Sequence, residues 1–213
     1  MLSVIDICNK ALSLINVSNI NDLTEGSAQA RVCRFHYEIC RDSVLREHPW
    51  GFARSFVTLA STDIEHPHWS YVYSIPGLYL YGINIFPADE KISTDGIFPD
   101  SAIDYYMRDA DYRYELANME DRRVILSNVP NAMMEYIKKI EDVTLFDPHF
   151  VETLSYKMAS DIAMPLTGDS KIAAFYTDKY LRSLQHAQVL SANESKHSPL
   201  LMRTVSGFTR SRR

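Results

Sequence analysis

The sequence has few glycines and no glycine-rich phosphate loop. Seven glycines are spread over 213 residues, and none belongs to a G-x-G-x-x-G or GK[ST] pattern. A nucleotide-binding loop needs such glycines, because a side chain would keep the backbone away from the phosphates. The H-E-x-x-H and C-x-x-C spacings of common metal sites are also missing. The sequence therefore predicts no cofactor, no metal and no enzyme activity.

Cysteine is scarce as well. The three cysteines are an odd number, and Cys33 and Cys40 are seven residues apart. On a helix that separation is ~10 Å, which is too long for a disulfide. We expect buried, reduced thiols. Cys33 or Cys40 with His36 could be imagined as a nucleophile pair, but all three fall on one predicted helix without a catalytic loop.

Long apolar runs are absent. No stretch approaches the ~20 apolar residues of a membrane span. The N-terminus lacks a basic lead into an apolar segment, so we expect no signal peptide. With 46% hydrophobic residues, the chain can still build one sizeable core, or one core with an inserted subdomain.

Charge is distributed unevenly along the chain. Residues 1–195 hold all 27 acidic residues against 17 Lys and Arg, whereas residues 196–213 hold five basic residues and no acid. Within the acidic part, residues 89–121 carry ten acids against three basic residues. This segment is a solvated face, a surface that repels nucleic acid, or a surface that meets a basic partner. The basic end indicates a tail that docks elsewhere.

Helical periodicity is clear near the N-terminus. Ser3 and Asp6 match a capping box that begins a helix ending near Asn16. A second helix is predicted from Ser27 to His48, where Pro49 ends it. Its apolar stripe is predicted to be Cys33, Tyr37, Cys40 and Val44, with Phe35 and Ile39 alongside.

The stretch 146–187 predicts a helical hairpin. Asp147 is a good N-cap, and Pro148 suits the first helical position, where its missing N–H costs nothing. Pro165 and Gly168 are expected to end this helix, and Asp169 or Ser170 to begin the next. The facing stripes are predicted to be Phe150, Leu154, Met158 and Ile162 on one helix, and Ile172, Tyr176, Tyr180, Leu184 and Ala187 on the other.

The middle of the chain predicts antiparallel β-structure. Turn formers separate six short segments that are rich in aromatic and β-branched residues: 55–60, 69–75, 78–86, 113–117, 122–127 and 135–141. The fourth and fifth segments are expected to form a hairpin with a four-residue loop.

The predicted fold class is therefore α+β, with one domain over residues 1–195. It has an antiparallel bundle of two N-terminal and two C-terminal helices, residues 3–48 and 147–193. An antiparallel β region is inserted at about 55–143, and residues 196–213 form an extended, flexible basic tail.

Several segments, in their order and spacing, resemble the tail tubular protein A family, the head-to-tail adaptors of short-tailed bacteriophages. The resemblance covers about residues 4–193, and its most specific parts are HPW-x-F-A at 48–53 and FDP-x-F … PLTGD at 146–169. The segments are ICNKALSLIN (7–16), ARVCRFHYEICRDSVLREHPWGFARSFVTLA (30–60), YVYSIP (71–76), VILSNVP (124–130) and EYIKKIEDVTLFDPHFVETLSYKMASDIAMPLTGD (135–169).

This resemblance implies a structural virion protein at the head–tail junction, assembled in the host cytoplasm. Twelve subunits would form a ring beneath the portal protein and present a platform for the tail nozzle protein. The helices would form the ring, the β region would face the tail, and the C-terminal tail would reach the portal. No membrane and no catalytic residue is implied, and DNA would pass through the ring without sequence-specific binding.

Three groups of residues are the candidates for function. The tail residues expected to dock in the portal are Leu200, Leu201, Arg203, Phe208, Arg210, Arg212 and Arg213. Acidic residues expected to face the channel are Asp95, Asp100, Asp104, Asp109 and Asp111. The expected structural anchors are Trp50, Phe52, Asp147, Pro148, Pro165 and Gly168.

Two other classes of function stay open. The basic tail could belong to a nucleic-acid-binding protein, because Lys and Arg supply most non-specific affinity for phosphates. A hydrolase could use carboxylates such as Asp142 and Asp147, although a strand end and a helix N-cap explain these better. The segment 65–68, Glu-His-Pro-His, is interpreted as an exposed loop rather than a metal site.

Overall fold

The computed structural model describes residues 2–88 and 112–194, with side chains described as far as residue 190. The described residues form an α+β structure of four helices and two small antiparallel sheets. The helices are α1 (Val4–Leu14), α2 (Ala28–Glu47), α3 (Pro148–Thr167) and α4 (Ser170–Glu194). The strands are β1 (Arg54–Thr58), β2 (Tyr71–Ser74), β3 (Tyr79–Pro87), β4 (Tyr114–Met119), β5 (Arg122–Ser127) and β6 (Ala132–Lys138).

The chain divides into two compact units. The helical unit consists of the described residues of Met1–Gly51 and Val143–Arg213, and the sheet unit consists of those of Phe52–Asp142.

Each of the first three helices begins at the predicted cap. The Asp6 N–H donates to Ser3 Oγ at 3.1 Å, and the Ser3 N–H donates to Asp6 Oδ2 at 2.9 Å, which completes a capping box. At α2 the Ala30 N–H donates to Ser27 Oγ at 3.1 Å. At α3 the His149 N–H donates to Asp147 Oδ1 at 2.7 Å, and Pro148 occupies the first turn. These side chains satisfy donors that the helix itself leaves unpaired.

Helix α3 contacts all three other helices. Its predicted stripe is fully buried, and on α4 Tyr180, Leu184 and Ala187 are buried while Ile172 and Tyr176 are half-buried. The predicted burial of Met158 and Leu184 is therefore confirmed. The α2 stripe is also buried, but Phe35 and Ile39 beside it are exposed to solvent.

The prediction for Pro165 is wrong, because α3 continues through it to Thr167. A proline in the last turn removes only one N–H, and 17 residues of helix already precede it. The prediction for Gly168 is confirmed. This residue has φ +69°, and its N–H donates to the Met164 carbonyl at 3.0 Å, which caps the helix in the left-handed conformation that glycine adopts freely.

The sheet unit holds two sheets, with strand orders β1-β6-β3 and β2-β5-β4. Met134 of β6 is paired with Val57 and Ile85, which fixes the register of the first sheet. Buried residues of both sheets form one core cluster, with Met134 and Ile85 from the first sheet and Tyr73 and Ile125 from the second.

The hairpin between β4 and β5 has a two-residue turn, not the four-residue loop expected. Met119 pairs with Arg122, so only Glu120 and Asp121 lie between the strands. Both have positive φ, +49° and +60°. Two-residue hairpin turns that match the strand twist need this left-handed conformation, which Asp adopts more easily than most residues and Glu does not.

Candidate functional site

The predicted anchors lie at the ends of helices or beside them. Trp50 is buried, and its Nε1–H donates to the Val44 carbonyl at 2.9 Å. Its ring and the Phe150 ring are in a T-shaped arrangement, with their centroids 5.0 Å apart. It therefore links the end of α2 to α3. Phe52 is half-buried in the sheet unit. Asp147, Pro148 and Gly168 form the caps described above.

Two groups of predicted site residues lie outside the described residues. All five acidic channel candidates, Asp95 to Asp111, fall between residues 88 and 112. The seven tail candidates, Leu200 to Arg213, follow residue 194. Their roles stay predictions from sequence.

The alternative carboxylates are placed as follows. Asp142 and Asp147 are exposed and belong to different units. Oδ1 of Asp147 already accepts the N-cap hydrogen bond of α3. In the loop at 65–68, the His68 N–H donates to His66 Nδ1 at 3.1 Å, which occupies one potential metal ligand.

The helical unit exposes apolar side chains on α2, α3 and α4, and Met164 of α3 is 55% exposed. Phe35 and Ile39, one turn apart on α2, are 67% and 56% exposed. On α4 the exposed apolar residues are Phe175, Leu181 and Val189. Phe175 also borders an apolar groove of about 420 Å³ between the end of α1 and the start of α4, which Leu14 and Ile172 line. The unit thus presents a projecting pair on α2 and a groove at α1 and α4.

A polar cluster lies where α2 meets α3. His36 and Cys40 are four residues apart, so they share one face of α2, and Asp161 of α3 joins them. Their potential ligand atoms all lie within 4.8 Å of one another. The Cys40 thiol donates to Asp161 Oδ2 at 3.3 Å. Burial, followed by the Asp161 carboxylate, raises the pKa of this thiol above its ordinary value.

The other carboxylate oxygen of this cluster has partners of its own. Lys157 Nζ lies 3.0 Å from Asp161 Oδ1, and Ser160 Oγ donates to the same oxygen at 3.1 Å. The Lys157 ammonium also lies 5.8 Å from the centre of the Tyr180 ring. Asp161 is therefore held in one orientation, with Oδ2 directed at Cys40.

Tyr180 of α4 borders the same cluster. It is only 8% exposed, and its hydroxyl is buried without a hydrogen-bond partner among the described residues. Burial raises its pKa to about 12, and the charges of Glu47, Asp161 and Cys40 add to that shift. A buried hydroxyl normally has a partner, so this one keeps an unused capacity to hydrogen-bond a further polar group.

Sequence reasoning missed this cluster. The i,i+4 spacing of His36 and Cys40 was visible, but it was weighed only as a nucleophile pair. Asp161 is 121 positions from Cys40, and nothing in the sequence marks it as their neighbour. Only the packing of α3 against α2 brings the third group in.

No helix in the described part of the chain has the length and apolar character that a membrane crossing requires. Comparison of the sequence with protein-family models finds no match, and comparison with curated proteins finds none either.

Proposed function

We propose that this protein is a structural adaptor of a short-tailed phage. It forms a ring between the portal protein and the tail nozzle protein and extends the channel for DNA. Its four helices form an antiparallel bundle that builds the ring, and the sheet unit serves the tail side. The order of the segments that resemble the tail tubular protein A family supports this proposal.

The observation that carries the proposal is the pair of dissimilar apolar surfaces on the helical unit. A ring is built by a head-to-tail interface, in which one surface of each subunit contacts a different surface of the next. Phe35 and Ile39 project from α2, whereas the groove at α1 and α4 is recessed and apolar. We assign the first surface of one subunit to the second surface of its neighbour.

The length of the helices suits this arrangement. Helix α4 has 25 residues, which corresponds to ~38 Å. It is joined to α3 by a turn that Gly168 closes, and the two helices pack along each other. A stiff hairpin of this kind is a wedge, and identical wedges close into a ring when the rotation between them divides a full turn.

Measuring the mass of the assembly tests the proposal. The double variant Phe35→Ser/Ile39→Ser should stay folded, because both side chains are exposed and such changes shift stability by about 0.5 kcal/mol or less. Light scattering, on the protein alone and with purified portal protein, should show loss of the ring. Phe56→Ser is the matched control, since Phe56 is an exposed aromatic residue of the sheet unit; this variant should keep the ring.

Two outcomes would contradict the proposal. Rings of unchanged mass in the double variant would mean that α2 is not at the interface. A protein that stays monomeric with portal, and binds DNA with a steep dependence on salt, would support the nucleic-acid-binding alternative.

The tail can be tested separately. We expect a chain truncated after Glu194 to fold, to stay soluble and to attach poorly to the portal. Its missing part would supply Leu200, Leu201 and Phe208 as apolar anchors, and buried apolar anchors contribute more to binding than single exposed charges do. Attachment equal to that of the full chain would rule out the tail as the docking element. An unfolded product would place residues 196–213 in the core.

A further inference from the structure

We propose that His36, Cys40 and Asp161 bind one transition-metal ion of the zinc type, which links α2 to α3. One nitrogen, one sulfur and one oxygen donor is a set that Zn²⁺ accepts readily. The three come from two helices, so the ion would join elements that are far apart in the chain. This inference does not depend on the ring.

The distances suit a tetrahedral ion after small side-chain rotations. Zinc bonds of ~2.0–2.3 Å place neighbouring ligand atoms roughly 3.4–3.7 Å apart. Cys40 Sγ and Asp161 Oδ2 are already 3.3 Å apart. The widest separation in the cluster is no more than 4.8 Å, and His36 is half-buried, so its ring has room to turn inward.

The surroundings of Asp161 are those of a metal ligand. Lys157 and Ser160 both hold Oδ1, which leaves Oδ2 to face the thiol. Hydrogen bonds to the second oxygen of a ligating carboxylate orient it and tune its affinity. The ammonium of Lys157 therefore does not have to leave when the ion binds at Oδ2.

The partnerless hydroxyl of Tyr180 is the second observation. It is buried, and the centre of its ring lies 5.8 Å from Lys157 Nζ, the ammonium that contacts Asp161 Oδ1 at 3.0 Å. Three protein ligands leave a fourth position for water. A metal-bound water would give the Tyr180 hydroxyl the hydrogen-bond partner that it otherwise lacks.

Binding is balanced in protons and charge. The Cys40 thiol releases its proton to solvent as the sulfur–metal bond forms. The resulting thiolate and the Asp161 carboxylate then neutralise the two positive charges of the ion. His36 binds as a neutral imidazole and contributes no charge.

Cobalt is the probe that reports the sulfur ligand directly. The full-length protein, freed of any histidine tag and dialysed against a chelator, is titrated with Co²⁺. We expect one ion per chain, a sulfur-to-cobalt charge-transfer band in the near ultraviolet, and the intense visible bands of tetrahedral Co²⁺. Added Zn²⁺ should displace the cobalt and remove both features.

Matched variants identify the ligands. Cys40→Ala should abolish the charge-transfer band, whereas Cys33→Ala should keep it, because Cys33 is an equally buried thiol on the same helix. His36→Gln and Asp161→Asn should weaken Co²⁺ binding at least tenfold. These two variants test the site even if Cys40→Ala fails to fold. Ser160→Ala should weaken it about tenfold by loosening Asp161.

The other histidines supply the outcome that would overturn the proposal. The rings of His149 and His186 lie 5.5 Å apart on α3 and α4 and could bind Co²⁺ without sulfur. Absence of the charge-transfer band in the unmodified protein, or its persistence in Cys40→Ala, would overturn the site. So would binding that His149→Gln removes and His36→Gln leaves unchanged.

Discussion

The elements of the two units are specified by interactions of different range. In the helical unit the caps are local, because Ser3, Ser27 and Asp147 each bond to a backbone N–H two or three residues away. In the sheet unit the central strand β6 pairs with β1, so that Arg54 lies beside Ile137. Local contacts are visible in sequence patterns, whereas distant pairings depend on the whole topology. Helix ends can therefore be predicted from a single sequence, whereas the partners of distant strands cannot.

The largest expected effect comes from a matched pair of core substitutions. Met158 in the helical unit and Met134 in the sheet unit are both fully buried. Changing either to Ala should cost about 2–5 kcal/mol of unfolding free energy, through lost transfer energy and a residual cavity. Each unit contains one tryptophan, Trp50 or Trp69, so a Trp→Phe change in one unit leaves a fluorescence reporter in the other.

Urea unfolding of these single-tryptophan proteins sharpens the comparison. We expect Met158→Ala to shift the midpoint reported by Trp50 more than the midpoint reported by Trp69, and Met134→Ala to do the reverse. Equal shifts of the urea midpoints reported by both tryptophans would show one cooperative transition. The two cores would then not be stabilised separately. A cost below about 0.5 kcal/mol for Met158→Ala would mean that the α3 stripe faces solvent.

Sequence reasoning reached the elements of both units but not the arrangement of the second. The helix starts followed from caps, and the six strands followed from aromatic and β-branched runs. The division of the strands into two sheets was not predicted, because strand order is set by pairings such as Met134 with Val57 and Ile85, which leave no local trace. The polar cluster at Asp161 was missed for the same reason.

Pro165 and the β4–β5 turn were mispredicted on a smaller scale. Pro165 gives up one backbone N–H, and α3 nevertheless continues through it to Thr167. In the sequence Asn118 and Met119 fit a four-residue loop, whereas the strand pairing extends to Met119 and Arg122.

Glycine has a steric role in the sheet unit. A Cβ at Gly82 would lie 2.6 Å from Tyr114 Oη and 3.2 Å from Met134 Cε. Gly82→Ala should therefore cost about 1–3 kcal/mol through overpacking. In a Tyr114→Phe background the nearest atom is gone, so the same substitution should cost less. An identical cost in the two backgrounds, measured by chemical unfolding, would show that the tyrosine hydroxyl is not the obstacle.

Glycine has a conformational role in the helical unit. Nothing lies within 4 Å of a Cβ placed at Gly168 or at Gly51, but Gly168 has φ +69°. Gly168→Ala should cost about 1–2 kcal/mol, because an L-residue pays this in the left-handed region. Gly51→Ala has open space without that strain and should be close to neutral. Similar losses in both variants would mean that the α3–α4 turn tolerates other residues.

The smallest expected effect concerns the first cap and its pH dependence. Ser3→Ala should destabilise the helical unit by about 1 kcal/mol at neutral pH, whereas Ser70→Ala, at an exposed position of the sheet unit, should change little.

The Ser3 hydroxyl and N–H hold the pKa of Asp6 below its ordinary value. A carboxyl with a depressed pKa in the folded state contributes stability above its unfolded pKa of about 4, and loses it as the pH falls through the folded pKa. The difference between the unmodified protein and Ser3→Ala should therefore shrink below about pH 4. It should not vanish, because Ser3 Oγ still accepts from the Asp6 N–H when the carboxyl is protonated. Thermal unfolding followed at 222 nm across this pH range measures the difference. A difference that stays constant, or grows as the pH falls, would show that the Asp6 carboxylate takes no part in stabilising α1.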